Sequence, residues 1–216
     1  MHQLTWHRAL GVFIATVLIL YTAVRFYVDL TRPTFRADEL FNGSPRMIAG
    51  STPAGLLARL AADGDSLANS AAVKAADVLP TSNTASHAED NKDAQNAAIA
   101  ALGISPIRPS LWLVLGMLRT GSAAAVAPLK MSYLTGTVPV DVAYARLQTV
   151  TSTSAASDEE IRLLAPSDVR STLASGSRFE APLIATYVNA TPEGKSLLLD
   201  ATQTINPKFN AMLRRY

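Results

Sequence analysis

Residues 10–28 read LGVFIATVLILYTAVRFYV and carry one charged side chain, Arg25. A helix that crosses a membrane needs about 20 mostly apolar residues, because hydrocarbon offers no hydrogen-bond partner to exposed backbone groups. The stretch begins at Leu10 and ends at Val28, so it is long enough to span. Arg25 lies near its end, where a long side chain can reach the lipid headgroups. The pattern predicts a membrane anchor.

A cleaved signal peptide is the alternative to an anchor. It requires a small-residue cleavage site of the Ala-x-Ala type directly after the apolar run. Residues 25–29 read RFYVD and contain no such site. We therefore predict an uncleaved, single-pass anchor.

The orientation of the anchor rests on two opposing signals. Arg8 precedes the run, whereas Arg25, Arg32 and Arg36 lie at or beyond its end, and a literal count of these charges favours a cytoplasmic body. The short tail ahead of Arg8 is typical of an export signal. We predict a bacterial inner-membrane protein with a periplasmic body, and keep a cytoplasmic body as the alternative.

The rest of the chain divides by composition. Residues 1–9 form a tail and residues 10–28 the anchor. Residues 29–94 are interpreted as a connector with short helices and, over residues 80–93, a flexible linker rich in Ser, Thr and Asn. Residues 95–216 are predicted to form the body.

The body is predicted to be all-α, a compact domain of helical hairpins, because no stretch alternates apolar and polar residues with period 2. Pro and Gly mark the expected helix boundaries. Ser157 and Glu160 are read as a capping box. Prolines recur about every 26 to 30 residues, so tandem hairpins compete with an irregular bundle, which we favour. The boundary residues are Gly103, Pro109, Gly121, Gly136, Pro139, Pro166, Ser177, Pro192 and Pro207.

Several kinds of chemistry lack the residues they need. The chain has no cysteine, and its three histidines, His2, His7 and His87, lie outside the predicted body. We expect neither a metal site nor a cofactor, and a Ser-His-Asp triad lacks its base. The net charge of +2 includes no polybasic cluster, so nucleic-acid binding is not expected.

A Ser-Lys dyad is the remaining nucleophilic arrangement. Ser132 and Lys130 are two positions apart, which places their side chains on different sides of a helix. Ser110 could meet Lys130 only through tertiary folding. We predict no catalytic residue.

The most hydrophobic part of the body is the segment from Arg108 to Arg119. It is too short to span a membrane, so it is either a buried central helix or a face that docks against a membrane partner. We favour burial, because a helix that is apolar on every side is usually buried. Trp112 is its expected packing anchor. Arg108, Trp112, Arg119 and Lys130 are the candidate binding residues, since the three cations could line a pocket for an anionic headgroup or acidic polymer.

These observations favour a membrane-anchored, extracytoplasmic, non-enzymatic helical protein that binds a protein partner in a bacterial envelope assembly. The alternatives are a tethered enzyme acting on an envelope polymer and a cytoplasm-facing helical adaptor. An enzyme would show a concave pocket with converging polar groups and a shifted pKa. The sequence does not fix the oligomeric state.

Overall fold

The computed structural model describes residues 2–30, 37–41, 64–79 and 87–216, and in these the chain is helical without any strand. The first helix, α1 (His2–Leu30), contains the apolar window Leu10–Tyr27, whose side chains are not buried against the body. This is a helix of the length and composition that cross a membrane, as the sequence predicts. A signal sequence has the same features.

The α-helices of the described body are labelled in chain order. They are α2 (Gly64–Val78), α3 (His87–Ile104), α4 (Pro109–Leu118), α5 (Val126–Leu134), α6 (Val140–Thr151), α7 (Glu159–Leu164), α8 (Pro166–Ala174), α9 (Glu180–Asn189), α10 (Pro192–Ile205) and α11 (Pro207–Leu213). Short 3-10 helices cover Ala37–Phe41, Ala123–Ala125, Ser154–Ser157 and Ser177–Phe179. The all-α prediction is confirmed.

Two clusters of buried side chains share α4. One lies among α2, α3 and α4, and the other among α4 and the helices that follow it. Leu111, Val114 and Leu115 face the first cluster, whereas Leu113 faces the second. The prediction of a buried central helix is confirmed, because α4 contacts both clusters and, after its first residue, only Trp112 and Met117 among its apolar side chains stay partly exposed.

Alanines make the contact between α2 and α3. Those buried in α2 are spaced three and four residues apart, as are those buried in α3, so each set forms one stripe along its helix. Small side chains let the two backbones approach closely. The buried alanines are Ala68, Ala71, Ala72 and Ala75 in α2 and Ala94, Ala98 and Ala101 in α3.

The helical bundle begins before residue 95. Helix α3 starts at His87, so the assignment of residues 87–93 to a flexible linker is wrong; residues 80–86 lie outside the described residues. Helix α2 also belongs to the bundle through its contact with α3. One of the short helices predicted in the connector, which would begin after Thr52, lies outside the described residues too.

The 3-10 helix Ala37–Phe41, called the 37–41 helix below, corrects a second boundary. It lies within residues 29–94, which are predicted to form a connector outside the packed body. Instead, the 37–41 helix contacts α2, α4 and α6, and Phe41 packs against both buried clusters. The apolar pair Leu40 and Phe41 explains this packing, since both side chains leave water on contact with the bundle.

Most predicted helix boundaries agree with the structure. Prolines begin α4, α8, α10 and α11. Gly121 and Gly136, which come after α4 and α5, both have a positive φ. Two details are wrong: α3 continues through Gly103, and α7 is capped by Asp158, whose carboxylate accepts the Ile161 backbone N–H, instead of Ser157.

The bundle is irregular and not a solenoid. In a solenoid each repeat contacts only its neighbours. Helix α10 contacts its chain neighbours α9 and α11 and also α8 and α6, and α6 begins two of the proposed repeat units earlier. This confirms the irregular bundle over tandem repeats.

Helix α10 contains a glycine, Gly194, that lies directly against the backbone of α6. A Cβ built on Gly194 would lie 2.1 Å from the Thr151 carbonyl oxygen at the end of α6. That oxygen accepts the Thr191 backbone N–H at 3.0 Å. The start of α10 is thus held against α6 at a distance that only glycine permits.

We expect Gly194→Ala to lower the free energy of unfolding by about 2 kcal/mol, because the methyl group meets backbone that cannot move aside. The matched control is Gly103→Ala, where nothing lies within 4 Å of the new Cβ and α3 is helical. The control should raise stability by about 0.5 kcal/mol. Chemical unfolding of the full chain in detergent, followed by circular dichroism, measures both. Equal effects of the two substitutions would contradict the close contact.

Candidate functional site

Arg108 and Arg119 lie at opposite ends of α4. They are its N-cap and C-cap residues, so about 15 Å of helix separates them. Arg108 pairs with Asp65 of α2, and Arg119 Nε donates to Gln95 Oε1 of α3 at 3.4 Å. The structure does not bring these two cations together.

Trp112 and Lys130 occupy two further places. Trp112 is half-buried at the edge of the first cluster, and its indole N–H donates to the Pro106 carbonyl oxygen at 2.8 Å. Lys130 Nζ lies 2.7 Å from Glu160 Oε1. The four candidate residues therefore line no common pocket in the described chain, and a binding role for each stays a prediction.

The possible Ser-Lys partners are engaged elsewhere. Ser110 Oγ donates to the Asp38 carboxylate, and Ser132 Oγ donates to the Pro109 carbonyl oxygen at 2.8 Å. The hydrogen bond to Glu160 raises the pKa of Lys130 above its ordinary value. A lysine acting as general base needs a lowered pKa, so this environment opposes that role.

The structure reveals a buried ion pair between α6 and α8. Arg146 Nε lies 2.8 Å from Asp168 Oδ2 and Arg146 Nη2 lies 2.6 Å from Asp168 Oδ1, a bidentate arrangement. Each residue is only 3% exposed. Arg146 Nη1 also donates to the Ser132 carbonyl oxygen at 2.7 Å, which ties α5 to the same pair.

Tyr133 closes this buried cluster. The Arg146 guanidinium lies 3.8 Å from the Tyr133 ring centroid, a cation–π contact. Among the residues that the structure describes, the buried Tyr133 hydroxyl finds no hydrogen-bond partner. Burial raises the pKa of Tyr133 well above its ordinary value, and burial also raises the pKa of Asp168, against the opposing effect of Arg146.

Sequence reasoning missed this cluster, although a signal for it exists. Arg146 follows Val142 by four residues and precedes Val150 by four, so it lies on the buried stripe of α6. Asp168 likewise precedes the buried Thr172 by four residues, so it lies on the buried stripe of α8. A charge on an apolar stripe indicates a buried charge, which requires a partner of opposite sign.

The cluster is interpreted as structural. Shifted pKa values occur at active sites and in structural ion pairs alike. None of Arg146, Asp168 and Tyr133 lines either of the two grooves of the body that are described below. The cluster joins α5, α6 and α8 and is closed to a substrate.

An open groove of ≈ 280 Å³ lies among α7, α8 and α10. Leu197 and Ala201 are buried beneath it, and Ile205 is half-buried. The rim carries Arg162, Arg170 and Asp200. The complete lining is Arg162, Pro166, Arg170, Leu197, Asp200, Ala201, Thr204 and Ile205.

The charges of this groove, called the arginine groove below, do not cancel. Arg162 Nη2 lies 2.6 Å from Asp200 Oδ2, so these two charges are paired. Arg170 is exposed, and its side chain makes no hydrogen bond or ion pair with the residues that the structure describes. The groove thus combines an apolar floor with one cation available to a ligand.

A second groove, of ≈ 320 Å³, runs beside α4, α6 and α9. Its lining contains no charged side chain. Neutral polar groups alone provide weaker orientation of a charged ligand than an arginine does. The lining is Leu79, Met117, Thr120, Gln148, Thr149, Ser152, Thr186 and Asn189. The arginine groove is therefore the better candidate site.

Among the described residues no group of three or more His, Cys, Asp or Glu side chains is placed to hold a metal ion. No family model matches the chain, and neither a curated protein nor a solved structure is significantly similar to it.

The buried ion pair generates a stability prediction. We expect Asp168→Ala to lower the free energy of unfolding by about 3 to 5 kcal/mol, because Arg146 is left buried without its counter-charge. The double variant Arg146→Met with Asp168→Ala should regain much of this loss, since no buried charge remains. Unfolding of the full chain in detergent, followed by tryptophan fluorescence and circular dichroism, measures the coupling.

The control for this cycle is the exposed pair of Arg178 and Asp141, whose closest atoms are 3.4 Å apart. Asp141→Ala should cost about 1 kcal/mol or less, because water and salt screen an exposed pair. A cost for Asp168→Ala no larger than this control would show that the buried pair does not hold α6 and α8 together.

Proposed function

We propose that the chain is a single-pass membrane protein whose helical body binds a protein partner without catalysing a reaction on it. The observation that carries this proposal is α1, an N-terminal helix long and apolar enough to cross a membrane, with its apolar side chains exposed. Anchoring raises the effective concentration of the body at the membrane, so a modest affinity is sufficient for a partner located there.

The arginine groove supports a partner segment of defined chemistry. An arginine guanidinium presents donors that match a carboxylate in a bidentate geometry. Leu197, Ala201 and Ile205 supply apolar area beside it. The fitting ligand is a short protein segment with an apolar residue on the groove floor and an acidic side chain, or a terminal carboxylate, at Arg170.

The enzyme alternative finds less support. Such an enzyme would need a shifted pKa at a concave site, and the groups with raised pKa values are buried at Tyr133 and Asp168 or paired at Lys130. None of these three lines the arginine groove.

For the location we propose the inner membrane of a bacterium, with the body outside the cytoplasm as part of an envelope assembly. The short tail before Arg8 supports this orientation. A reporter enzyme that is active only outside the cytoplasm, fused after Tyr216, should be active. Activity of a cytoplasmic reporter alone would favour the cytoplasm-facing adaptor instead.

The groove is tested by site-specific photo-crosslinking in cells that express the chain. Thr204 lines the groove, and a photoreactive residue there should give a discrete adduct with the partner. Gln203 is the matched control, because it is exposed on the same helix and does not line the groove. We expect Arg170→Glu to reduce the adduct about tenfold, which corresponds to ~1.4 kcal/mol, and Arg170→Lys to retain most of it.

Two results would contradict the groove as the binding site. The first is equal crosslinking from positions 203 and 204. The second is an adduct at 204 whose yield is unchanged by Arg170→Glu, since the charge would then contribute nothing to binding.

A further inference from the structure

The body is attached to the anchor by a short piece of chain. Helix α1 ends at Leu30 and the 37–41 helix begins at Ala37. Seven residue steps span at most about 25 Å, whatever conformation they adopt. This reach is shorter than the diameter of a domain of this size, which is on the order of 40 Å. The surface around Ala37 therefore stays close to the membrane that contains α1.

The 37–41 helix fixes which side of the body this is. Phe41 packs against both buried clusters, and Asp38 accepts a hydrogen bond from Ser110 in the first turn of α4. The attachment point is thus part of the bundle and is not a loose tether. The N-terminal end of α4 lies at the side of the body that the anchor reaches.

The loop that enters α4 presents apolar side chains beside this attachment. Ile107 is 76% exposed and Ile104 is 41% exposed. Trp112 is half-buried, and its indole N–H is bonded to the Pro106 carbonyl oxygen. An aromatic ring with one polar edge is typical of the membrane interface.

Arg108 holds this loop in place. Its Nε donates to Ser105 Oγ at 2.9 Å, and its guanidinium also pairs with Asp65 of α2. The backbone carbonyl oxygen of Arg108 accepts the N–H groups of Leu111 and Trp112. Ile107 is therefore exposed on a loop that is held by hydrogen bonds at both ends.

We propose that this loop corner, formed by Ile104, Pro106, Ile107 and Trp112, inserts into the interface of the same bilayer that α1 crosses. The proposal rests on the anchoring in the proposed function. The occupant is a lipid surface, because the short connection keeps the corner beside lipid. Insertion removes apolar surface from water and restricts rotation of the body about its attachment.

The experiment uses the absence of cysteine from the chain. The full chain with Ile107→Cys is labelled with an environment-sensitive fluorophore and reconstituted into vesicles of phosphatidylcholine and phosphatidylglycerol. Lipids with a nitroxide near the headgroup then quench fluorophores at that depth. Leu163→Cys is the matched control, since Leu163 is 81% exposed on α7, and α7 packs against α5 and α8. Leu18→Cys reports on the anchor.

We expect the label at position 107 to be quenched several-fold more strongly than the label at position 163. Equal, weak quenching at 107 and 163, with position 18 quenched by lipids carrying a deep nitroxide, would overturn the proposal and leave the anchor intact. A label at 107 that is shielded from water but not quenched by lipid would also overturn it, in favour of a protein contact. No quenching at position 18 would refute the anchor itself, and this corner proposal with it.

Discussion

Helix α4 is buried on two sides, and the helices of both apolar clusters pack around it. Its ten residues face one cluster with Leu111 and Leu115 and the other with Leu113. To remove α4 from water, helices must pack on both sides of it. Helix α4 therefore joins the alanine-rich pair α2 and α3 to the later helices. The 37–41 helix packs at the N-terminal end of α4, so the core also determines which side of the body is joined to α1 by a short stretch of chain.

Helices that carry a stripe of large apolar residues are predicted well from the sequence, whereas α3 is predicted poorly. Pro and Gly mark the ends of α4, α5 and α8 because those residues act locally, through φ restriction and the missing Cβ. Helix α3 buries only alanines along most of its length, so residues 87–93 resemble a linker in composition. Its partner α2 is equally rich in alanine, and the close fit between them depends on both helices together.

The candidate sites are harder to predict from the sequence than the helices, because their residues come from several helices. The stripe on α6 indicates that Arg146 is buried, but Asp168 is supplied by another helix and cannot be assigned from spacing alone. The arginine groove draws on three helices in the same way. The sequence suggests that three cations could line a pocket for an anionic group, whereas the structure gives each of them a partner within the protein: Arg108, Arg119 and Lys130. That the Arg170 side chain lacks such a partner among the described residues is learned only from the structure.

Retention of α1 as a membrane anchor can be measured by isolating the protein from cells and mapping its N-terminal peptides in the membrane and soluble fractions. We expect the chain to remain with membranes after extraction at alkaline pH and to retain residues 10–28. A chain that lacks those residues and is found in the soluble fraction would identify α1 as a cleaved signal sequence and would refute the proposed anchoring.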